Sequence, residues 1–165
     1  KSTVLFKNDW HKGVVGIVAS RCIERYYRPT IILTESKGVA AGSARSVAGF
    51  DLYAAVESCS EHLEQFGGHT HAAGMTLPLE NVEAFKAAFD KYVQQHITDD
   101  QLIPKIDVDL EINLSDITPK FYRIMQQMSP FGPKNMQPVF MTKNVSLVSK
   151  TRILKEKHFK LELLE

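Results

Sequence analysis

The sequence predicts an α/β fold, a sheet with packed helices, followed by a shorter β-rich module. Over residues 1–97, strand-like apolar runs alternate with amphipathic helix-like segments, the pattern of helices packed on a sheet. The stretch 98–105 is polar and contains proline, which is typical of a linker. From residue 106 onward short alternating segments predominate, so a β-rich module is predicted over 106–165.

The first half of the α/β domain should contain three strands and one helix. TVLF at 3–6 predicts a strand, and a helix is predicted over 14–27 before Pro29. The β-branched run at 30–33 predicts a buried strand, and a turn at 36–38 leads to a strand of small residues over 39–47. The predicted buried face of the helix comprises Val14, Ile17, Val18 and Cys22.

Two further helices and one strand are predicted in the second half. Asp51 is the expected N-cap of a helix over 52–66, and Gly67 and Gly68 are expected to close it. A strand follows at 71–78, then a helix over 81–97. The predicted buried faces are Leu52, Ala55, Val56, Cys59 and Leu63 for the first helix and Val82, Phe85, Phe89 and Val93 for the second.

The β-rich module starts with a cleanly alternating strand at 106–114, with Ile106, Val108, Leu110 and Ile112 on one face. A helix is expected at 121–128, a rigid proline-rich loop at 129–138, and strands over 139–154 and 158–165. Because strands lie at both ends of the sequence, we expect the chain to be an excised piece of a longer protein.

Bulk composition narrows the function classes. The formal net charge of the 165 residues is +1, so a polyanion would have to bind a local patch. No apolar run approaches the ~20 residues of a membrane span, and we expect no membrane partner. The cysteines Cys22 and Cys59 lie in helix-like patterns, which indicates reduced core residues in a cytoplasmic protein.

The segment FGGHTHAAGMTL, residues 66–77, is the first candidate site. His69 and His71 could share one strand face, but a zinc site needs three or four ligands and no further ligand motif accompanies them. The alternatives are a simple turn and an anion site. In the anion site, Gly67 and Gly68 would let the backbone approach a ligand and His69 would donate to it. No metal ligand is therefore assigned.

GSARS, residues 42–46, is the second candidate. Arg45 interrupts a strand of small residues, and its guanidinium offers a two-pronged donor for a phosphate. Ser43 and Ser46 would add hydrogen bonds. A surface arginine between serines is the alternative.

Weaker candidates occur elsewhere. His11 precedes a helix whose N-terminus could receive an anion. The alternative is that Trp10 beside it only anchors the helix to the sheet. Asp107 and Asp109 resemble paired metal carboxylates, but strand alternation explains them as a solvent face. In the β-rich module Lys134 and Asn135 could reach a nucleic-acid backbone. A basic tail could do the same or form a solvated hairpin; it contains Lys150, Arg152, Lys155 and Lys157.

Three motifs in order resemble the DHH-associated domain of the RecJ family of bacterial single-strand-specific exonucleases, within the DHH phosphoesterase superfamily. They are WHKGVVGIVASR, GSARSVAGFDLYAAV and FGGHTHAAGMTL. The loop PFGPKNMQPVF resembles the start of the OB-fold domain that follows in that family. The Gly-Gly-His turn alone is shared with nanoRNases, cyclic-dinucleotide phosphodiesterases and the C-terminal domain of alanyl-tRNA synthetase.

The resemblance implies a division of labour. The metal-binding Asp-His-His residues of the family lie in an N-terminal domain, so this chain is expected to contain no catalytic residue and to be inactive alone. The intact protein would be a 5′-to-3′ exonuclease of DNA repair and recombination that uses Mn²⁺ or Mg²⁺ to activate water. The implied partners are single-stranded DNA and that catalytic domain.

By motif, the phosphate-binding residues would be Ser43, Arg45, Ser46, Gly67, Gly68 and His69. Further nucleic-acid contacts would come from His11, His71, Lys134, Asn135 and Arg152. The truncated OB-like segment would guide the strand. Two alternatives remain: a stand-alone RNA-binding module like the synthetase domain, and part of a nanoRNase or cyclic-dinucleotide phosphodiesterase.

Overall fold

The computed structural model describes residues 1–148 and 151–165 of the chain. The chain divides into two compact units, Lys1–Pro104 and Lys105–Glu165. Lys150, one of the basic-tail residues, lies outside the described residues.

The first unit is built on a five-stranded sheet of order β1-β2-β3-β5-β4. Strands β1 and β2 pair in parallel, and the other neighbours pair antiparallel. Consequently β3 is the central strand and β4 is an edge. The strands are β1 (Thr3–Phe6), β2 (Thr30–Ser36), β3 (Val39–Arg45), β4 (Gln65–His69) and β5 (Ala72–Leu77).

Helices cover both faces of this sheet. Helix α1 (Val15–Tyr26) packs on Ile32 of β2. The neighbouring residue Ile31 points to the opposite face, where it joins the main core together with helices α2 (Leu52–Glu57) and α3 (Val82–His96). The predicted α/β class, a sheet with packed helices, is confirmed.

The predicted buried face of α1 was wrong except at Cys22, which is half-buried against the core beneath the helix. The helix buries Val15 and Ala19, while Ile17 is 64% exposed. The reason is close packing: a methyl group at Gly16 would lie 3.0 Å from Arg45 Nη2, so this side of the helix lies directly against β3. Small residues therefore face the sheet, and the bulkier Val14, Ile17 and Val18 remain exposed.

The predicted helix over 52–66 is much shorter. Asp51 is its N-cap, as expected, because the carboxylate accepts the N–H of Ala54 at 3.0 Å. The helix ends at Glu57, however, and a 3-10 turn at Ser60–His62 leads into β4. Gly67 and Gly68 thus lie in an edge strand and do not close the helix.

Helix α3 and the β2–β3 hairpin agree with the sequence. The predicted stripe of α3, from Val82 to Val93, is fully in the core. Lys37 and Gly38 form the hairpin turn with positive φ angles of 56° and 84°, as the central residues of a type I′ turn do.

The described residues of the second unit form one α-helix, a short 3-10 turn at Leu114–Asp116 and several two- or three-residue strands. Helix α4 (Pro119–Gln127) begins after Thr118, whose Oγ1 accepts the N–H of Phe121 at 3.1 Å. Strands pair as β6 with β7 in parallel, and as β8 with β11 and β9 with β10 in antiparallel. The strands are β6 (Leu110–Glu111), β7 (Phe140–Met141), β8 (Ser146–Leu147), β9 (Arg152–Leu154), β10 (His158–Lys160) and β11 (Leu163–Leu164).

The predicted long strand at 106–114 was wrong in extent. Only Leu110–Glu111 pair as a strand, and Ile106 is 79% exposed. Directly before that strand, the N–H of Asp109 donates to the carbonyl of Val139 at 2.9 Å, and the carboxylate of Asp109 accepts the N–H of Val139 at 2.8 Å. Ile112 is the member of the predicted face that is buried.

Within the described residues, no helix has the length and apolar character required to cross a bilayer.

Asp90 of α3 ties the helix to the start of the chain. Its Oδ1 accepts the hydroxyl of Ser2 at 2.7 Å and the N–H of Ser2 at 3.1 Å. Burial alone would raise the pKa of Asp90, but hydrogen bonds from Ser2, the α-amino group and Gln94 outweigh it and lower the pKa to about 2. The ionised carboxylate therefore contributes to stability.

We expect Asp90→Asn to destabilise the first unit by about 1 kcal/mol at pH 7, a modest value because the carboxylate is partly exposed. Because the pKa of Asp90 is lower in the folded chain than in the unfolded chain, its contribution to stability is fully present above the unfolded-state pKa of about 4. The contribution is lost as the pH falls toward 2. Thermal unfolding from pH 7 to pH 2 should thus show a difference from wild type that shrinks on acidification. A constant difference, or one shared by the exposed control Glu80→Gln, would contradict this assignment.

Candidate nucleic-acid interface

The strand register brings the two sequence motifs together. Arg45 on β3 and His69 on β4 both pair with Ala72 on the intervening strand β5. Residues that are directly opposite in a sheet point to the same face. Arg45 and His69 therefore lie in one row on the face that carries α1.

The guanidinium of Arg45 is held in place by hydrogen bonds. Its Nη1 donates to Ser43 Oγ at 2.7 Å and to the carbonyl of Ala44 at 2.8 Å. The side chain is half-buried, and in the described part of the chain no carboxylate lies within 4 Å of it. The cation is thus oriented by neutral groups and keeps its charge for an external anion.

The turn that carries His69 is anchored to the end of β3. The carbonyl of His71 accepts the N–H of Ser46 at 3.1 Å, and the carbonyl of Thr70 accepts the N–H of Leu52 at 3.1 Å. These bonds fix the turn beside Arg45.

The nitrogen of His69 that can donate to a ligand is defined by the other ring nitrogen's hydrogen bond. Its Nδ1 accepts the N–H of His71 at 3.2 Å, so a neutral ring carries its proton on Nε2. The rings of the two exposed histidines meet edge to face, 5.9 Å apart. His69 therefore offers an N–H to a ligand.

The two glycines of the turn have different roles. A methyl group at Gly67 would meet nothing within 4 Å, so the backbone there is open to a ligand. At Gly68, which has φ +152°, a methyl group would lie 2.2 Å from the carbonyl oxygen of Ala72. Glycine at position 68 is explained by strand packing, and position 67 is the one that leaves space.

Ser46 differs from Ser43 in its surroundings. Its hydroxyl donates to the carbonyl of Phe50 at 2.8 Å and so belongs to a turn after β3. Side chains alternate along a strand, which directs Ser43 and Arg45 to one face and the residue between them to the other. Ser43 thus supports the guanidinium directly, whereas Ser46 supports the turn.

An open groove of about 520 Å³ lies between α1 and β4 on the same face. Its floor is made of strand residues, including Ser43, Gly67 and Gly74, and the start of α1 forms one wall. Sequence reasoning had considered Gly16, at the start of the helix, but it assigned no role to four other lining residues: Lys12, Gln65, Gly74 and Thr76. A glycine in the middle of a predicted strand, as at Gly74, was the available signal.

His11 precedes α1 in an exposed position. Its Nδ1 accepts the N–H of Gly13 at 3.1 Å, which caps a short 3-10 turn at Lys12–Val14. Trp10 packs against the core beneath α1, as an anchoring residue would.

In the second unit, the side chain of Asn135 makes hydrogen bonds to the backbone of its own loop. Its Nδ2 donates to the carbonyls of Met128 and Pro130, both at 2.9 Å, and so closes the proline-rich loop. Lys134 stands exposed at the tip of that loop with φ 69°. Arg152 lies directly opposite Lys160 in the β9–β10 pair, an unfavourable pairing of like charges.

The side chains of the described residues do not assemble into a metal site. Among residues 1–148 and 151–165, no three His, Cys, Asp or Glu side chains come close enough to share an ion. The Asp109 carboxylate is also engaged with the Val139 N–H. No chemical step is therefore assigned to a metal bound by these residues.

The two glycines make a matched pair for a stability test. Gly68→Ala should destabilise the first unit by about 1–3 kcal/mol, because the new methyl group overlaps β5. Gly67→Ala should be neutral or stabilising by up to about 1 kcal/mol, because the backbone loses freedom only in the unfolded chain. Urea unfolding of both variants measures the difference; equal destabilisation would mean that Gly67 also is required by packing.

Family models match both units. The model of the DHHA1 domain matches residues 1–95, and the model of the RecJ OB domain matches residues 108–165. The single-stranded-DNA-specific exonuclease RecJ of Bacillus subtilis is 42% identical over 146 residues, covering 87% of this chain and 19% of that protein.

Solved structures agree. The structure of Thermus thermophilus RecJ in complex with Mg²⁺ superposes with a TM-score of 0.85 at 28% identity, over 99% of this chain and 25% of that one. The corresponding Mn²⁺ complex gives the same TM-score over 98% and 24%. The C-Ala domain of Aquifex aeolicus alanyl-tRNA synthetase reaches a TM-score of 0.44 at 10% identity, too low to carry an argument for the synthetase alternative.

The chain spans about a fifth to a quarter of the length of the RecJ relatives that it matches. The resemblance drawn from the sequence is confirmed: the chain belongs to the DHHA1 domain family and is homologous to part of the RecJ single-stranded-DNA-specific exonucleases.

Proposed function

We propose that this chain is the substrate-binding part of a RecJ-type 5′-to-3′ exonuclease of DNA repair and recombination. In this proposal Ser43, Arg45, Gly67 and His69 hold phosphates of a single DNA strand. A metal-binding catalytic DHH domain elsewhere in the same longer protein would cleave it.

The observation that carries the proposal is the shared row of Arg45 and His69 on one sheet face. A guanidinium and an imidazole N–H therefore belong to the same side of the sheet, one row away from the open backbone of Gly67. Both side chains keep donors for a ligand. Arg45 donates to neutral oxygens through Nη1, and the Nδ1 of His69 accepts the N–H of His71, which leaves Nε2–H for a phosphate. Charge-assisted hydrogen bonds to phosphate are the strong class of such contacts.

The start of α1 strengthens the same site. Gly16, in the first turn, lies against the guanidinium and Ser43. The N-terminal end of a helix carries a partial positive charge that favours anions. Phosphoryl transfer depends mainly on positioning and charge neutralisation, which is the contribution that these groups would make.

The metal of the complete exonuclease would come from other residues of the longer protein. RecJ of Thermus thermophilus has been solved with Mg²⁺ and with Mn²⁺, and we propose one of these ions for the complete enzyme, where it would activate water. Because the substrate is DNA in a bacterial family, we place the protein in the cytoplasm.

Arg45→Ala should weaken binding of a 5′-phosphorylated single-stranded oligonucleotide about 10- to 100-fold, the loss expected for a charge-assisted hydrogen bond. In the complete exonuclease kcat/KM should fall by a similar factor. Fluorescence anisotropy measures the binding. Arg25→Ala, which removes an exposed guanidinium from α1, is the matched control; an equal effect of both variants, or none at Arg45, would refute the assignment.

His69→Ala should lower turnover of the complete exonuclease roughly tenfold, because one phosphate donor is lost. Metal content should stay that of the wild type, since His69 is assigned to phosphate and not to the metal. Steady-state kinetics together with metal analysis of the purified variant measures both, with His96→Ala on α3 as control. Loss of bound metal would make His69 a ligand and would contradict the assignment.

A further inference from the structure

The groove beside Arg45 continues well past the row that holds the proposed phosphate. Moving along the strands, the next row on the same face pairs Ser43, Gly74 and Gly67, and the row after it pairs Ala41, Thr76 and Gln65. Two residues of strand advance about 6.8 Å. The three rows therefore span about 14 Å, more than one phosphate needs.

A second cation stands at the far end. In the turn before α1, the carbonyl of Trp10 accepts the hydroxyl of Thr34 at 2.7 Å, and Thr34 pairs with Ala41 of the third row. Lys12, two residues after Trp10, is exposed and lines the groove together with Gln65 and Thr76. Within the described residues no carboxylate lies within 4 Å of its ammonium group. By strand register, Arg45 and His69 lie in the row directly beyond the groove's Ser43–Gly74–Gly67 row. A lysine with two neutral polar side chains lies at the other end of the groove.

The middle of the groove is kept open. A methyl group at Gly74 would meet one atom within 4 Å, the carbonyl oxygen of Gly42 at 3.9 Å, and Gly74 does not adopt a positive φ. Neither packing nor backbone conformation thus requires glycine there, although glycine weakens a strand interior. Any side chain at Gly74 or Gly67 would instead fill the floor between the two cationic ends.

We infer that the groove binds a short segment of single strand, with one phosphate at Arg45 and His69 and a second phosphate at Lys12. Gln65 and Thr76 would hydrogen-bond the nucleotides close to the second phosphate. Stacked nucleotides advance about 3.4 Å each, so a length of about 14 Å holds at most four, and fewer when the strand is extended. The ligand class is therefore an oligonucleotide of two to four nucleotides in the groove, in preference to a mononucleotide.

This inference rests on the proposed function, because it extends the same phosphate site. The two can fail separately. Arg45 would be needed by every 5′-phosphorylated ligand, whereas Lys12 and the open floor would be needed only by ligands that are long enough to reach them.

The test compares thymidine 5′-monophosphate with a 5′-phosphorylated thymidine pentanucleotide, titrated into this chain at several salt concentrations. Lys12→Gln should weaken pentanucleotide binding about 5- to 10-fold and reduce the slope of log K against log salt by about 0.7, the value for one phosphate contact on a single strand. Binding of the monophosphate should not change. Lys91→Gln on α3 is the matched control and should affect neither ligand.

Gly74→Val provides a second, uncharged test. It should weaken binding of the pentanucleotide and leave binding of the monophosphate unchanged. The melting temperature should stay equal or rise, since valine favours strands. If that variant fails to fold, Gly67→Ala fills the same floor with a smaller group and is expected to act in the same direction.

Several results would overturn the inference. They are equal affinity of the unaltered chain for the two ligands, a Lys12→Gln effect shared by the monophosphate, and an unchanged salt slope. Each of them leaves the Arg45 result standing. If Arg45→Ala is the one variant that loses binding of both ligands, the result supports the phosphate site. If the unaltered chain binds neither ligand, both proposals are overturned.

Discussion

The pairing register of β3, β5 and β4 is the constraint on which the site depends. Because side chains alternate along a strand, a slip of one residue would turn Arg45 and Ser43 into the core and expose Ala44. Two glycines favour the observed register. Gly42 lies against the carbonyl of Ile32, and Gly68 against the carbonyl of Ala72, where any side chain would collide with backbone. The same packing that fixes the sheet thereby fixes the distance between the guanidinium and His69.

The sheet glycines thus fall into two classes. Gly42 and Gly68 are required by close approach of backbone, whereas among the described residues a methyl group at Gly67 or Gly74 would meet no atom closer than 3.9 Å. Glycines of the second class weaken the strands, and no packing contact in the fold requires them. Such glycines are typical of a surface shaped for a ligand. Stability and binding should therefore respond in opposite directions at these positions. That opposition distinguishes a groove kept open for a ligand from an incidental gap.

Sequence periodicity predicted α3 well because its core residues are large and regularly spaced, from Val82 to Val93. It failed for α1, where the sheet is contacted by Val15 and Ala19 and the larger apolar residues face outward. Only tertiary packing against Arg45 determines that orientation. Ser43, Arg45 and His69 could be recognised from the sequence as phosphate-binding side chains. Their position on one face of the sheet, however, depends on the strand order. Lys12 was missed for the same reason: it reaches the groove through a turn, not through a sequence pattern.

A structure of this chain with a 5′-phosphorylated thymidine dinucleotide would test the central claim most directly. The account predicts a phosphate within hydrogen-bonding distance of both Arg45 and His69 Nε2, on the face of the sheet that carries α1. It also predicts that Arg45 keeps its bond to Ser43, since that bond orients the guanidinium. A phosphate bound on the opposite face, or one that contacts neither side chain, would contradict it.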